Sequence, residues 1–219
     1  MFGHQAHAAV ADASTRGRLI HGARFYDAMV NIITLGRAPA LREQAADLAA
    51  IRPGESVLDV GCGTGELAQR ARARTGPTGV VRGIDPSADM IAVARDKSTR
   101  MGLGIEYRVA AIEALPFPDA SFDVVLSSLM MHHLPEDLKV SGLREVRRVL
   151  KPGGRVLILD LKRPRGLLSR LALTSVMHAG LDYGVEDLSP LIAAAGFDDT
   201  NTGNTRFGSV GFVSGRVPA

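Results

Sequence analysis

The feature that most restricts what this 219-residue chain can become is the run Val57-Leu58-Asp59-Val60-Gly61-Cys62-Gly63-Thr64-Gly65-Glu66-Leu67. Ser56 to Val60 is a short β-branched strand pattern, and Glu66 to Thr75 is helix-like, so three glycines join a strand directly to a helix. Lacking a Cβ, such glycines let a ligand approach the backbone closely, and the helix N-terminus behind them offers unpaired N–H groups to an anion. By that geometry alone, a phosphate or a carboxylate fits equally well.

The strand and helix patterns continue to alternate downstream. Gly76-Pro77-Thr78-Gly79 is a turn before a strand at Val80 to Ile84 that ends on Asp85; a helix follows from Ser87 to Arg100. Strands are expected at Ile105 to Val109 and Phe122 to Ser127, with proline-rich Leu115 to Asp119 left as a loop. Glu136 to Leu150 reads as a helix, and Pro152-Gly153-Gly154 turns the chain into Arg155 to Leu161, whose Val156-Leu157-Ile158-Leu159 suits a strand buried on both faces. Glu186 to Ala195 is a helix ended by Gly196, and Thr200 to Arg216 alternates as two antiparallel strands turning near Gly208 and Ser209. Upstream, Leu41, Ala45, Leu48 and Ala49 mark the second of two helices between Arg24 and Ile51.

The fold class this predicts is α/β: a doubly wound, Rossmann-like sheet of seven strands, mostly parallel, with an antiparallel C-terminal hairpin. One domain accounts for residues 1–219, with N-terminal helices covering the site in 1–52, a cofactor-binding core in 53–162, and substrate-side helices with the hairpin in 163–219. Cys62 is the single cysteine, so there is no internal disulfide and no cysteine cluster for a metal, which suits a reducing interior. Met1 to Arg24 lacks the apolar run of a signal peptide, and a cytoplasmic address is expected. The net charge of +3 is scattered along the chain, which argues against a nucleic-acid partner. Lys162, Arg163, Arg165 and Arg170 form a local basic cluster at the start of an apolar helical pattern from Pro164 to Asp182. That segment suits packing on the sheet, the lining of an apolar pocket, or peripheral contact with an anionic membrane. A monomer or a homodimer is expected.

Spacing narrows the ligand. A dinucleotide fingerprint requires G-x-G-x-x-G, whereas this loop reads Gly61-x-Gly63-x-Gly65 with Glu66 where the third glycine belongs, and a carboxylate there repels a pyrophosphate. Asp85, twenty residues beyond Gly65, is placed to accept both hydroxyls of an adenosine ribose.

Val57 to Leu67 resembles the first motif of class I S-adenosylmethionine-dependent methyltransferases, and Gly83-Ile84-Asp85-Pro86-Ser87-Ala88-Asp89-Met90 resembles the second. Glu113 to Asp123 and Leu150 to Arg155 are similar to the third motif and to the approach to the fifth strand. Within that class the chain looks most like the ubiquinone/menaquinone C-methyltransferase-like (methyltransferase type 11) group, a likeness shared by Phe25-Tyr26-Asp27-Ala28-Met29-Val30-Asn31. It departs from that group in containing no tryptophan, and from many relatives in carrying Ala111 where an Asp meets the adenine amino group.

The resemblance implies S-adenosyl-L-methionine as cofactor and S-adenosyl-L-homocysteine as product. It implies that Gly61, Cys62, Gly63 and Gly65 embrace the methionine end, that Asp59 stabilises its ammonium, and that Asp85 binds ribose. Pro86 and Met90 would lie against adenine, Ala111 and Ile112 beside it, and the Ser127 carbonyl near the ammonium. His132 and His133, just beyond the fourth strand, are candidate bases, and Tyr26 a candidate to close over the sulfonium. Each also has a plainer place in the fold: helix capping for the histidines, core packing for Met90 and Tyr26. The function implied is methyl transfer to a small, apolar or lipid-like acceptor by in-line displacement. A donor-binding accessory protein without turnover is the alternative, and a nicotinamide dehydrogenase is disfavoured by Glu66.

Overall fold

The structure is a computed structural model that describes residues 12–18, 22–23, 27, 30, 36–163 and 183–219. Its described helices and strands run in the order α1 (Ala38–Leu48), β1 (Ser56–Val60), α2 (Glu66–Thr75), β2 (Val80–Asp85), α3 (Ala88–Arg100), β3 (Glu106–Val109) and β4 (Phe122–Ser128). Then come α4 (Glu136–Val149), β5 (Leu150–Leu161), α5 (Leu188–Ala194), β6 (Asp198–Asn204) and β7 (Val210–Arg216). Short 3-10 turns at Met131–His133 and Val185–Asp187 precede α4 and α5.

Seven strands form one sheet in the order β3-β2-β1-β4-β5-β7-β6. The first five are mutually parallel, β7 runs antiparallel to β5, and β6 antiparallel to β7. This is the expected doubly wound sheet with its C-terminal antiparallel pair. Alternation in β1 and β5 shows why both faces are covered. Leu58, Val60, Val156 and Ile158 point into the core built with α4 and α5, through Leu143, Val146 and Ile192. Val57, Leu157 and Leu159 point into the opposite core with Leu41 of α1, Ala68 and Ala71 of α2, and Ile91 of α3. Asp59 falls on that second face by the same period of two, as a buried carboxylate in an apolar row.

Helix ends follow local chemistry. Ser87 caps α3 by accepting the Met90 N–H at 3.4 Å, and Gly196, at φ +86°, ends the helical segment after α5 as expected. Helix α4 carries Glu136 and Asp137 in its first turn and Arg147 and Arg148 in its last, matching the helix dipole.

The turn at Pro152 differs from expectation. Strand β5 begins at Leu150, opposite Phe122, and resumes pairing at Arg155, opposite Val124, so Lys151 to Gly154 form a bulge within the strand. The Lys151 ammonium closes the bulge on both oxygens of Asp123, at 2.9 and 2.8 Å. The first of the two expected N-terminal helices falls largely outside the described residues, as does the whole Pro164 to Asp182 segment. Among the described residues, no helix is long and apolar enough to cross a membrane.

Candidate functional site

Strand order reverses between β1 and β4, and ligands of doubly wound sheets bind beyond the strand ends at such a switch point. Two adjoining clefts open there, of about 700 Å³ and about 380 Å³, with Gly61, Gly63, Ser128 and Leu129 on the walls of both. Leu129 leaves β4 at φ +56°, an uncommon conformation for a side chain of its size, found here at the junction of the two clefts.

The larger cleft is bounded by Asp85, Pro86 and Met90 after β2, Ala111 and Ile112 after β3, and His133 after β4. Asp85 Oδ2 accepts the Gly63 N–H and Oδ1 accepts the Ser87 N–H, both at 2.9 Å. Each oxygen retains a lone pair, so this fixed carboxylate can accept two further hydroxyls. Burial raises its pKa, against the lowering effect of the two N–H groups. Ala110 donates its N–H to the Asp85 carbonyl at 3.1 Å, which draws Ala111 and Ile112 up to the cleft wall. Residues 12–18 cross the opening. Ala13 donates to the Pro86 carbonyl at 2.9 Å, Arg18 donates to the His133 carbonyl at 3.2 Å, and Asp12 Oδ1 accepts the Ala88 N–H at 2.8 Å.

The smaller cleft holds Asp59, Cys62, Arg42, Thr64 and Glu66. Asp59 is only 1 % exposed, and its Oδ2 has no hydrogen-bond partner. Burial pushes its pKa up to about 7, opposed by a backbone N–H bond from Ala68 and the charge of Arg42. A buried carboxylate oxygen with no partner calls for a cation or a donor. Arg42 Nε pairs with Glu66 Oε2 at 2.9 Å, and Thr64 and Lys97 both bond the carboxylate of Asp27, so the N-terminal region is tied to the glycine loop. Tyr26, one residue before, lies outside the described residues.

The three glycines divide their work. A Cβ on Gly61 would come 2.4 Å from Met130 Cγ, and one on Gly65 would come 2.5 Å from Tyr107 Oη, each at a positive φ. Gly61 and Gly63 line both clefts, whereas Gly65 lines neither and closes the corner against Tyr107. The Cys62 N–H bonds the Ile84 carbonyl at 2.8 Å, and burial raises its thiol's pKa. Ser127 also differs from the expected placement. It is buried within β4 and lines neither cleft, while Ser128, one step nearer the strand end, lines both.

The two histidines separate. His133 faces the larger cleft, and burial together with the neighbouring His132 ring pulls its pKa down to about 4. His132 stands behind it, the ring centroids 4.0 Å apart, and reaches Asp160 at the end of β5, Nδ1 to Oδ1 being 2.6 Å. Sequence reasoning missed Asp160, although a carboxylate closing the apolar run of β5 was a legible signal; it also missed Ser128, Arg42 and the crossing segment 12–18, which carry no motif.

Comparison with known proteins identifies the family and the fold. Residues 57–154 match the family described as a methyltransferase domain. The ubiquinone/menaquinone biosynthesis C-methyltransferase UbiE of Edwardsiella ictaluri is 31% identical over 98% of this chain and 95% of its own length. The same-named protein of Hahella chejuensis is 38% identical over 64% of this chain, a match that spans 56% of that relative's length. Among solved structures, a SAM dependent methyltransferase from Aquifex aeolicus superposes with a TM-score of 0.66 at 23% identity, covering 86% of this chain and 98% of that one.

Proposed function

Because the chain belongs to the class I S-adenosylmethionine-dependent methyltransferases, close to UbiE, we propose that it moves a methyl group to a small, apolar or lipid-like acceptor by in-line displacement. The observation that carries this reading is the pair of carboxylates, Asp59 buried and Asp85 partly buried, at the two ends of one cleft system. Asp59 has an unpartnered oxygen, Asp85 is bonded to the glycine loop, and Gly61 and Gly63 lie between.

S-adenosylmethionine, when bound, supplies a methyl already activated by the sulfonium. Asp59 would hold the ammonium of the amino-acid end through its buried, unpartnered Oδ2. Of the residues lining the larger cleft, Asp85 would accept the ribose hydroxyls, Pro86 and Met90 would meet adenine, and Ile112 would flank it. Ala111 offers no side-chain bond to adenine, which leaves its backbone and apolar contact to do that work. Cys62 shapes the amino-acid end, and Ser128 takes the place first expected for Ser127. The residues of the crossing segment 12–18 exclude water from the nucleoside side, and alignment of the acceptor with the carbon–sulfur bond supplies much of the acceleration.

The relatives named above are C-methyltransferases of ubiquinone and menaquinone biosynthesis, which favours turnover over an accessory role. The test is a screen of quinols, phenols, amines and phospholipid headgroups with radiolabelled methyl donor. Label appearing in an acceptor is expected; donor binding with no transfer to any of them would favour the accessory reading.

A further inference from the structure

A third carboxylate borders the cleft system. Glu113 is half-buried on the wall of the larger cleft, and its Oε2 is shielded from water with no hydrogen-bond partner. The backbone fixes it there. Strand β3 ends at Val109, opposite Asp85 of β2, and the next residue, Ala110, donates its N–H to the Asp85 carbonyl at 3.1 Å. The Ala114 N–H then bonds the Ala111 carbonyl at 3.2 Å, closing a turn with Ile112 and Glu113 at its centre. Helix α4 holds the far side of that turn: Glu145 Oε2 accepts the Leu115 N–H at 3.0 Å, and Ile112 fills the space that a side chain at Gly142 would take. Glu145 is bonded to Arg148 as well, whereas Glu113 Oε2 is left without a donor, a state that costs free energy and that packing does not require.

The three carboxylates step across the sheet. Asp59 lies on β1, Asp85 ends β2 and Glu113 follows β3, and those strands are neighbours in the order β3-β2-β1. At about 4.8 Å per strand the row spans about 10 Å, the reach of one elongated ligand. With Asp59 at the ammonium and Asp85 at the ribose, the one group of the donor that still carries N–H bonds is the amino group of adenine. We infer that Glu113 Oε2 accepts that amino group and is the residue that selects adenine among purines. The inference rests on the methyltransferase reading above and names the base-specificity residue of that same site. Ala111 brings only backbone and apolar contact to the base, and Glu113, two residues on, shares that work by adding a side-chain acceptor. Of the other acceptors on the cleft wall, Ser128 and His133 belong to the β4 side of the switch point, and Thr15 Oγ1 already accepts the Gly17 N–H at 3.0 Å. A carboxylate only accepts, so Glu113 makes a charge-assisted bond to an amino group and none to a purine that lacks it. One side chain thus separates the two bases.

The test is calorimetry on the full chain with two probes, S-adenosylhomocysteine and its deamino analogue, in which purine replaces adenine. The wild type should bind the first at least about tenfold more tightly than the second. Glu113→Ala should lose that preference by weakening S-adenosylhomocysteine alone, the analogue's Kd staying within about twofold. Glu113→Gln keeps the size of the side chain and an amide oxygen that accepts without charge, so it should retain part of the preference. Equal weakening of both probes in Glu113→Ala would make Glu113 a residue that only shapes the turn, and would overturn the inference. A preference absent from the wild type, or unaltered in Glu113→Ala, would overturn it too. If the alanine variant does not fold, a preference in Glu113→Gln equal to that of the wild type does the same. In each of these outcomes the donor site stands; failure of the wild-type protein to bind S-adenosylhomocysteine would instead take the methyltransferase reading with it.

Discussion

Asp85 Oδ2 accepts the N–H of Gly63 at 2.9 Å, so the carboxylate at the end of β2 holds the loop that follows β1. Its other oxygen anchors Ser87 at the start of α3. One side chain thereby sets the distance between the glycine loop and the residues after β2 that line the larger cleft. Asp85→Ala should weaken donor binding by at least about 100-fold, the loss of two hydrogen bonds to a charged group. It should also cost about 1–3 kcal/mol of stability through the N–H groups left without acceptors. Calorimetry and thermal unfolding read the two effects separately, and unchanged affinity would detach Asp85 from the donor.

Gly61→Ala is expected to act through Met130. The new Cβ would meet Met130 Cγ at 2.4 Å while the backbone sits at φ +69°, a strain of about 1–3 kcal/mol. Donor affinity should fall, and adding Met130→Ala should recover the part due to the clash and leave the part due to φ. A double variant no better than the single would mean that Met130 is not the obstacle.

Asp59 predicts a proton released on donor binding. Its pKa is raised from 3.8 to about 7 by burial, so it favours the protonated form in the folded protein without donor. Its contribution to stability is full below the ordinary carboxylate range and lost as pH rises through about 7. An ammonium beside Oδ2 reverses that preference. At about pH 6, calorimetry in buffers of differing ionisation enthalpy should report proton release on binding, and Asp59→Asn should show none. Equal apparent enthalpies in all buffers for the wild type would contradict the pairing.

His133 has the opposite sign. Burial lowers its pKa from 6.5 to about 4, so its share of stability is complete above the ordinary histidine value and is lost as pH falls toward about 4. His133→Leu should flatten that part of the acid unfolding profile. An unchanged profile would place the acid sensitivity elsewhere.

Much of the fold was legible because its periodicities are strong. Val156 to Leu159 announces a strand buried on both faces, and β5 divides those residues between the two cores. That Gly61, Gly63 and Asp85 would meet at the strand ends was legible because a glycine loop and a strand-ending Asp are local patterns. The bulge at Lys151 to Gly154 was hidden, since a turn and a bulge share Pro and Gly, and only the pairing with Asp123 on β4 distinguishes them. The joining of His132 to Asp160, 28 residues apart, depends on β4 and β5 lying side by side, which single residues do not encode. Ser128 replaces Ser127 on the cleft wall because β4 runs one residue longer than its apolar pattern suggests.

The most direct measurement is a crystal structure of the full chain with S-adenosylhomocysteine. The ribose should lie on Asp85 and the amino group within hydrogen-bond distance of Asp59, with the chain passing over Gly61 and Gly63. A product molecule bound elsewhere, with Asp59 still unpartnered, would contradict the account.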